Sequence, residues 1–132
     1  MHTYAHFPHS VLLVEDDSYL SQAYRYFLEQ SGYIVLTAMD GESALKTISL
    51  KKPDLVLLDL VMPVMNGFEV LEEIKGSSVF RHIPVIVISN LGQESEIRMC
   101  KKLGATDYLI KSNFSMKEVI HKIQHHLDTF LD

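Results

Sequence analysis

Three carboxylates, a hydroxyl and a lysine each follow a short apolar run in this chain. Glu15 and Asp16 come after Val11 to Val14, Asp59 after Leu55 to Leu58, Ser89 after Val85 to Ile88, and Lys111 after Tyr108 to Ile110. An unbroken aliphatic run of strand length reads as a strand buried on both faces, as in a parallel sheet. A carboxylate at the carboxyl end of such a strand does no packing, and Asp59 is followed by the turn signals Pro63 and Asn66-Gly67. In open α/β sheets, sites form in the crevice at those strand ends. Parallel strands with right-handed crossovers bring all the ends to one edge, so these residues converge. Carboxylates about 4 Å apart at an effective dielectric near 20 repel by about 4 kcal/mol per pair, which calls for a counter-charge. Hard oxygen ligands suit a small cation that retains waters, which describes a Mg²⁺ site. Lys111 adds a second positive charge and Ser89 a movable hydrogen-bond donor.

The elements that must position these residues alternate regularly. After the first strand, Ser18 is the expected cap of a helix with apolar positions Leu20, Ala23, Tyr24, Phe27 and Leu28, stopped by Gly32. Tyr33 to Ala38 is a strand. Asp40 caps a second helix with Ala44, Leu45 and Ile48 inward, ended by Pro53. Phe68 to Lys75 is a helix with Val70, Leu71 and Ile74 facing in, closed by Gly76. Pro84 opens the strand Val85 to Ser89, Glu94 to Leu103 is a helix ended by Gly104, and Tyr108 to Ile110 is a strand. Ser115-Met116-Lys117-Glu118 is a capping box. It opens a last helix with Met116, Val119, Ile120, Ile123, Leu127 and Phe130 on one face. Strand–helix alternation of this kind predicts an α/β protein with a parallel sheet covered on both sides.

The 132 residues suffice for one domain with a proper core. A net charge of -5 argues against direct nucleic-acid binding, and no apolar run approaches the length of a membrane span. A single cysteine, Cys100, excludes a disulfide framework and fits a reducing compartment. With no signal-peptide pattern at the start, a cytoplasmic protein is expected. Residues 1–9 are expected to be a flexible extension and 10–131 the domain. The histidines His2, His6, His9, His121, His125 and His126 are read as a tail cluster and a solvated helix face, and Cys100 as a core residue.

The set Glu15-Asp16, Asp59 with MPVMNG behind it, Ser89 and Lys111 resembles the receiver domain of two-component response regulators, over about residues 10 to 130. The resemblance implies the flavodoxin-like doubly wound sheet of five parallel strands in the order 2-1-3-4-5, with five helices. It implies that Asp59 accepts a phosphoryl group from a histidine kinase or phosphotransfer protein. Asp16 and Asp59, with the backbone carbonyl of Val61, are then ligands to Mg²⁺ or Mn²⁺, and Glu15 acts through a metal-bound water. By the same resemblance Ser89 is the switch hydroxyl, Lys111 pairs with a phosphoryl oxygen, and Tyr108 is an aromatic switch. The resemblance thus implies a signalling switch that catalyses only its own phosphorylation and slow dephosphorylation. The signalling surface would be the fourth helix, fifth strand and fifth helix, with Arg98, Lys101, Lys102 and Tyr108. Phosphorylation-dependent homodimers are common in members with DNA-binding outputs.

Departures from the family pattern carry further expectations. A proline usually follows the lysine, often in cis, whereas Ser112 stands here, and a cis bond before a non-proline costs about 2.5–4 kcal/mol. A trans Lys111–Ser112 bond and a reshaped loop are expected. Asn90 is larger than the residue commonly found after the switch hydroxyl, placed either to crowd the phosphoryl group or to hydrogen-bond it. Val61 and Leu91, two beyond Asp59 and Ser89, are apolar and flank the route of hydrolytic water, which predicts a long-lived phosphorylated state.

A flavodoxin-type redox carrier shares the fold class, but Glu15-Asp16-Asp17 would repel a flavin phosphate. An Asp-nucleophile phosphatase of the haloacid dehalogenase type wants a second Asp where Val61 stands. A receiver that binds partners without phosphorylation would not need the acidic set. Nothing but Asp132 follows the last helix, so the chain reads either as a stand-alone receiver or as part of a longer regulator.

Overall fold

The aliphatic runs form the strands β1 (Ser10–Val14), β2 (Ile34–Ala38), β3 (Leu55–Asp59), β4 (Val85–Ser89) and β5 (Asp107–Ile110). They make one parallel sheet in the order β2-β1-β3-β4-β5, as the sequence implies. The structure is a computed structural model that describes residues 8–62 and 64–128. Residues 1–7 of the expected extension, with His2 and His6, lie outside the described residues, as do Pro63 and Phe130.

Alternate residues of each central strand feed two cores, because successive side chains point to opposite faces. Val11, Leu13, Leu55, Leu57, Ile86 and Ile88 face α1 (Ser18–Gln30) and α5 (Met116–Asp128). Leu12, Val14, Val56, Leu58, Val85 and Val87 face the other layer, α2 (Gly41–Lys51), α3 (Gly67–Gly76) and α4 (Glu94–Lys102). Neither face is available to water, so β3 and β4 are buried along their whole length. Among the described residues no helix is long and apolar enough to cross a membrane.

Helix ends follow side-chain chemistry with one correction. Asp17, not Ser18, caps α1: its Oδ1 accepts the N–H groups of Tyr19 at 2.9 Å and Leu20 at 3.1 Å, and Ser18 is the first helical residue. Asp17 has the extended backbone a cap requires, and a carboxylate reaches two orphan donors there where a hydroxyl would meet fewer. Asp40 caps α2 through the N–H of Ser43 at 2.8 Å. Ser115 and Glu118 exchange the two bonds of the expected capping box, at 2.8 and 3.1 Å. Gly32 and Gly104 follow α1 and α4 with φ of 94° and 103°, the left-handed conformation that ends helices. Phe27, of the helical pattern in α1, stands exposed rather than inward.

Candidate functional site

Glu15, Asp16, Asp59, Ser89 and Lys111 sit at the carboxyl edge of the sheet, each held by the strand before it, and Tyr108 lies within β5. The N–H of Glu15 donates to Ala38 O at 3.0 Å, extending the β1–β2 ladder by one rung and turning the Glu15 side chain inward. That side chain is only 2% exposed. Its Oε1 accepts Lys111 Nζ at 2.9 Å and its Oε2 accepts the Asp17 N–H at 3.1 Å. Asp59 ends β3 at 5% exposure. Its Oδ2 lies 3.4 Å from Lys111 Nζ, and its Oδ1 accepts the Val61 N–H at 3.3 Å. Ser89 is fully buried at the end of β4, its Oγ accepting the Leu91 N–H at 3.2 Å. Asp16 is exposed beside them.

Lys111 therefore bridges two buried carboxylates. Burial lowers its pKa, but the bond from Glu15 and the charges of Asp59 and Glu15 outweigh that and hold it above the ordinary 10.5. Burial raises Glu15 above 4.5, with the charge of Asp59 adding to it and the Lys111 bond opposing it. Tyr108, at the edge of the sheet, donates its O–H to the Leu91 carbonyl. Burial raises the pKa of that hydroxyl, with Ser89 opposing. Ser89 and Tyr108 thus hold the two backbone polar groups of one residue, Leu91.

The loops agree with these placements. Every peptide bond among the described residues is trans, Lys111–Ser112 included, and Lys111–Asn113 forms a single 3₁₀ turn. Asn90 and Val61 are exposed, and Leu91 is half-buried. Behind Asp59, Asn66 and Glu69 form a capping box that starts α3. The Gly67 N–H donates to Leu60 O at 2.9 Å. A Cβ on Gly67 would lie 2.4 Å from Asp59 O and 2.6 Å from Leu60 Cα, so only glycine fits against the strand end. Val64 in the same loop holds φ 68°, a left-handed conformation that is strained for a β-branched residue.

One neighbour had no chemical signal in the sequence. Tyr24 reads there as an apolar position of α1, yet it is a buried phenol whose pKa is raised by burial, with Lys111 opposing and Glu15 and Asp59 adding. It borders the site from the helix side. Carboxylate oxygens of Glu15, Asp16 and Asp59 all lie within 4.8 Å of one another. This all-oxygen donor set of like charges fits a hard divalent cation. The histidines of α5 assemble no such set among the described residues: His126 faces Asp107 at 3.5 Å, and His125 meets His126 edge to face. Cys100 is buried in the core, its thiol pushed up to about 11 by burial.

Comparison with known proteins agrees with this geometry. The family profile "Response regulator receiver domain" matches residues 11–124. The alkaline phosphatase synthesis transcriptional regulatory protein PhoP of Bacillus subtilis is 35% identical over 86% of this chain and 46% of its own length. The chain spans about half the length of the curated relatives it matches. Among solved structures, the Mn²⁺-bound form of response regulator Rcp1 superposes with a TM-score of 0.81 at 29% identity, covering 89% of this chain and 93% of the other. The phosphorylated cyanobacterial phytochrome response regulator RcpA gives 0.84 at 29% identity, covering 93% and 96%. With the strand order, the acidic edge and the profile in agreement, the chain belongs to the response regulator receiver domain family of two-component systems.

Proposed function

We propose that this domain accepts a phosphoryl group on Asp59 from a phosphohistidine of a kinase or phosphotransfer protein, in the cytoplasm, and changes its partner-binding surface in response. The observation that carries the reading is Lys111 Nζ held 2.9 Å from Glu15 and 3.4 Å from Asp59, with the buried hydroxyl of Ser89 on the adjoining strand. In the transfer, an Asp59 carboxylate oxygen attacks phosphorus. The new O–P bond forms as the N–P bond to the donor imidazole breaks, and the ring nitrogen keeps the electron pair. Positioning and charge neutralisation do most of the work in such a step.

Each residue then has a role set by its present contacts. The Val61 N–H and Lys111 fix the two oxygens of Asp59 and so orient the nucleophile. The weaker Lys111–Asp59 contact is the one to be exchanged for a phosphoryl oxygen, while Glu15 keeps the lysine in place. Ser89 uses its oxygen as an acceptor from Leu91, which leaves its proton to donate to another phosphoryl oxygen. The added group brings about -1.5 to -2 charges. Asp16, Asp59 and the Val61 carbonyl would hold Mg²⁺ or Mn²⁺ directly, with Glu15 through a water. When bound, the ion neutralises charge on the carboxylates and the incoming phosphoryl oxygens.

A shift of Ser89 toward the phosphoryl group moves Leu91, and with it the partner of the Tyr108 hydroxyl. That is a route from the site to α4 and β5, where Arg98, Lys101 and Lys102 are exposed for a protein target or a second copy. Val61 and Leu91 offer no group to activate water, so the acyl phosphate is long-lived. A second reading, favoured by the length of the matched relatives and their description as transcriptional regulators, is that this receiver controls a DNA-binding output module. Incubation with a small phosphodonor and Mg²⁺, read by intact mass, tests the central claim. Uptake of one phosphoryl group by the parent and none by Asp59→Asn is expected, and equal uptake by both would overturn it.

A further inference from the structure

Away from the acidic edge, α3 and α4 enclose a groove of ≈ 370 Å³ that none of the chemistry above uses. Its floor is apolar: Phe68 and Leu103 are half-buried against the core, and Met99 stands 50% exposed. Its rim is acidic, formed by Glu69 and Glu72 from α3 and Glu96 from α4, and among the described residues no lysine or arginine lines it. Two nearby cations are turned elsewhere. Lys75 Nζ donates to the carbonyls of Arg81 and Ile83, and Arg98 lies against Glu94 at 3.5 Å.

Two of the rim carboxylates are held in place before anything binds. Glu69 Oε1 accepts the Asn66 N–H at 3.2 Å and Glu96 Oε1 accepts the Gln93 N–H at 3.1 Å, each within the capping box that starts its helix. The α3 wall is equally set, since α3 starts on the close packing of Gly67 against Asp59. Preorganised charge and a preformed apolar floor lose little freedom on binding. We infer that this groove docks a short cationic amphipathic helix of a partner protein, whose aliphatic anchors at i, i+3 or i+4 enter between Phe68, Met99 and Leu103 while its Lys or Arg residues meet the three glutamates. A second copy of this chain is disfavoured as the occupant, because its net charge is -5 and like charges repel across such a rim. The inference concerns a surface separate from Asp59 and does not depend on phosphoryl transfer.

An amide NMR titration of the full chain tests this. The probes are a blocked Leu/Lys peptide with one apolar helical face and its Leu/Glu counterpart. The Leu/Lys peptide is expected to shift amides lining the groove, with affinity falling on addition of about 0.15 M salt. The Leu/Glu peptide is expected to do nothing. Glu72→Lys, at an exposed position on the groove rim and away from Asp59, should weaken binding about tenfold, and Met99→Lys should do at least as much, with both variants keeping the parent's amide dispersion. Shifts spread over the whole acidic surface, or folded variants that bind as tightly as the parent, overturn the inference. Groove amides that move with protein concentration alone overturn it in favour of a second copy.

Discussion

At the scale of single residues, Lys111 decides the state of the site before any phosphoryl group arrives. Its ammonium is the counter-charge that lets Glu15 and Asp59 lie buried side by side. Lys111→Met leaves two buried carboxylates facing each other and is expected to cost about 2–3 kcal/mol at pH 7, measured by urea unfolding. Glu15 and Lys111 both have folded pKa values above their unfolded ones, so the sign is the same for each. The Glu15 contribution to stability is complete below 4.5 and is lost as pH rises through its raised value. That of Lys111 is complete below 10.5 and is lost above its own raised value. The deficit of Lys111→Met should therefore shrink in acid, as Glu15 takes a proton, and a deficit constant between pH 4 and pH 8 would refute the pairing. Val64 is the opposite kind of residue, strained and exposed at φ 68°. Val64→Gly removes that strain and is expected to stabilise the fold by about 1 kcal/mol in the same assay.

At the scale of elements, the junction of β3 with α3 carries the tightest constraint. Gly67→Ala would drive a methyl into the Asp59 and Leu60 backbone, and a loss of at least about 2 kcal/mol is expected. Gly76→Ala, in the last turn of the same helix with nothing within 4 Å of the added methyl, should be neutral or stabilising by up to about 1 kcal/mol. Thermal unfolding of the two variants side by side distinguishes a site constraint from general helix propensity. This junction was half legible in the sequence. Asn66-Gly67 announces a turn, but the need for glycine comes from a strand end that only the fold brings near. The cap of α1 was misassigned for a related reason. Asp16, Asp17 and Ser18 are consecutive, each able to cap, and the choice rests on which has the extended backbone and which faces the pocket.

At the scale of the whole molecule, unbroken aliphatic runs predicted the strands, their order followed from the resemblance, and the convergence of their ends followed from both. What escaped the sequence was contact between distant segments. Lys111 was expected to await a phosphoryl oxygen and is found bonded to Glu15, 96 positions away, and Tyr24 looked like packing only. Burial is also uneven. β1, β3 and β4 are dry on both faces, whereas α4 buries only Cys100. Hydrogen exchange should accordingly be slowest in the three central strands and fastest, among the helices, in α4. Equal protection of α3 and α4 would count against α4 as the element that responds to the site.

The capping box at Asn66 has a consequence for chemical ageing. Asn-Gly is the dipeptide in which the glycine nitrogen most easily attacks the preceding side-chain amide, expelling ammonia and leaving a succinimide that opens to aspartate or isoaspartate. Here the Gly67 nitrogen is committed to Leu60 O at 2.9 Å and Asn66 Oδ1 to the Glu69 N–H at 3.0 Å, so neither reactant is free to turn toward the other. Stored folded at mildly alkaline pH, the protein should keep Asn66 intact far longer than when stored in urea, as peptide mapping for isoaspartate would reveal. An isoaspartate there would add a backbone methylene directly before the residue that abuts Asp59. The same two hydrogen bonds that start α3 thus protect the site from slow covalent damage.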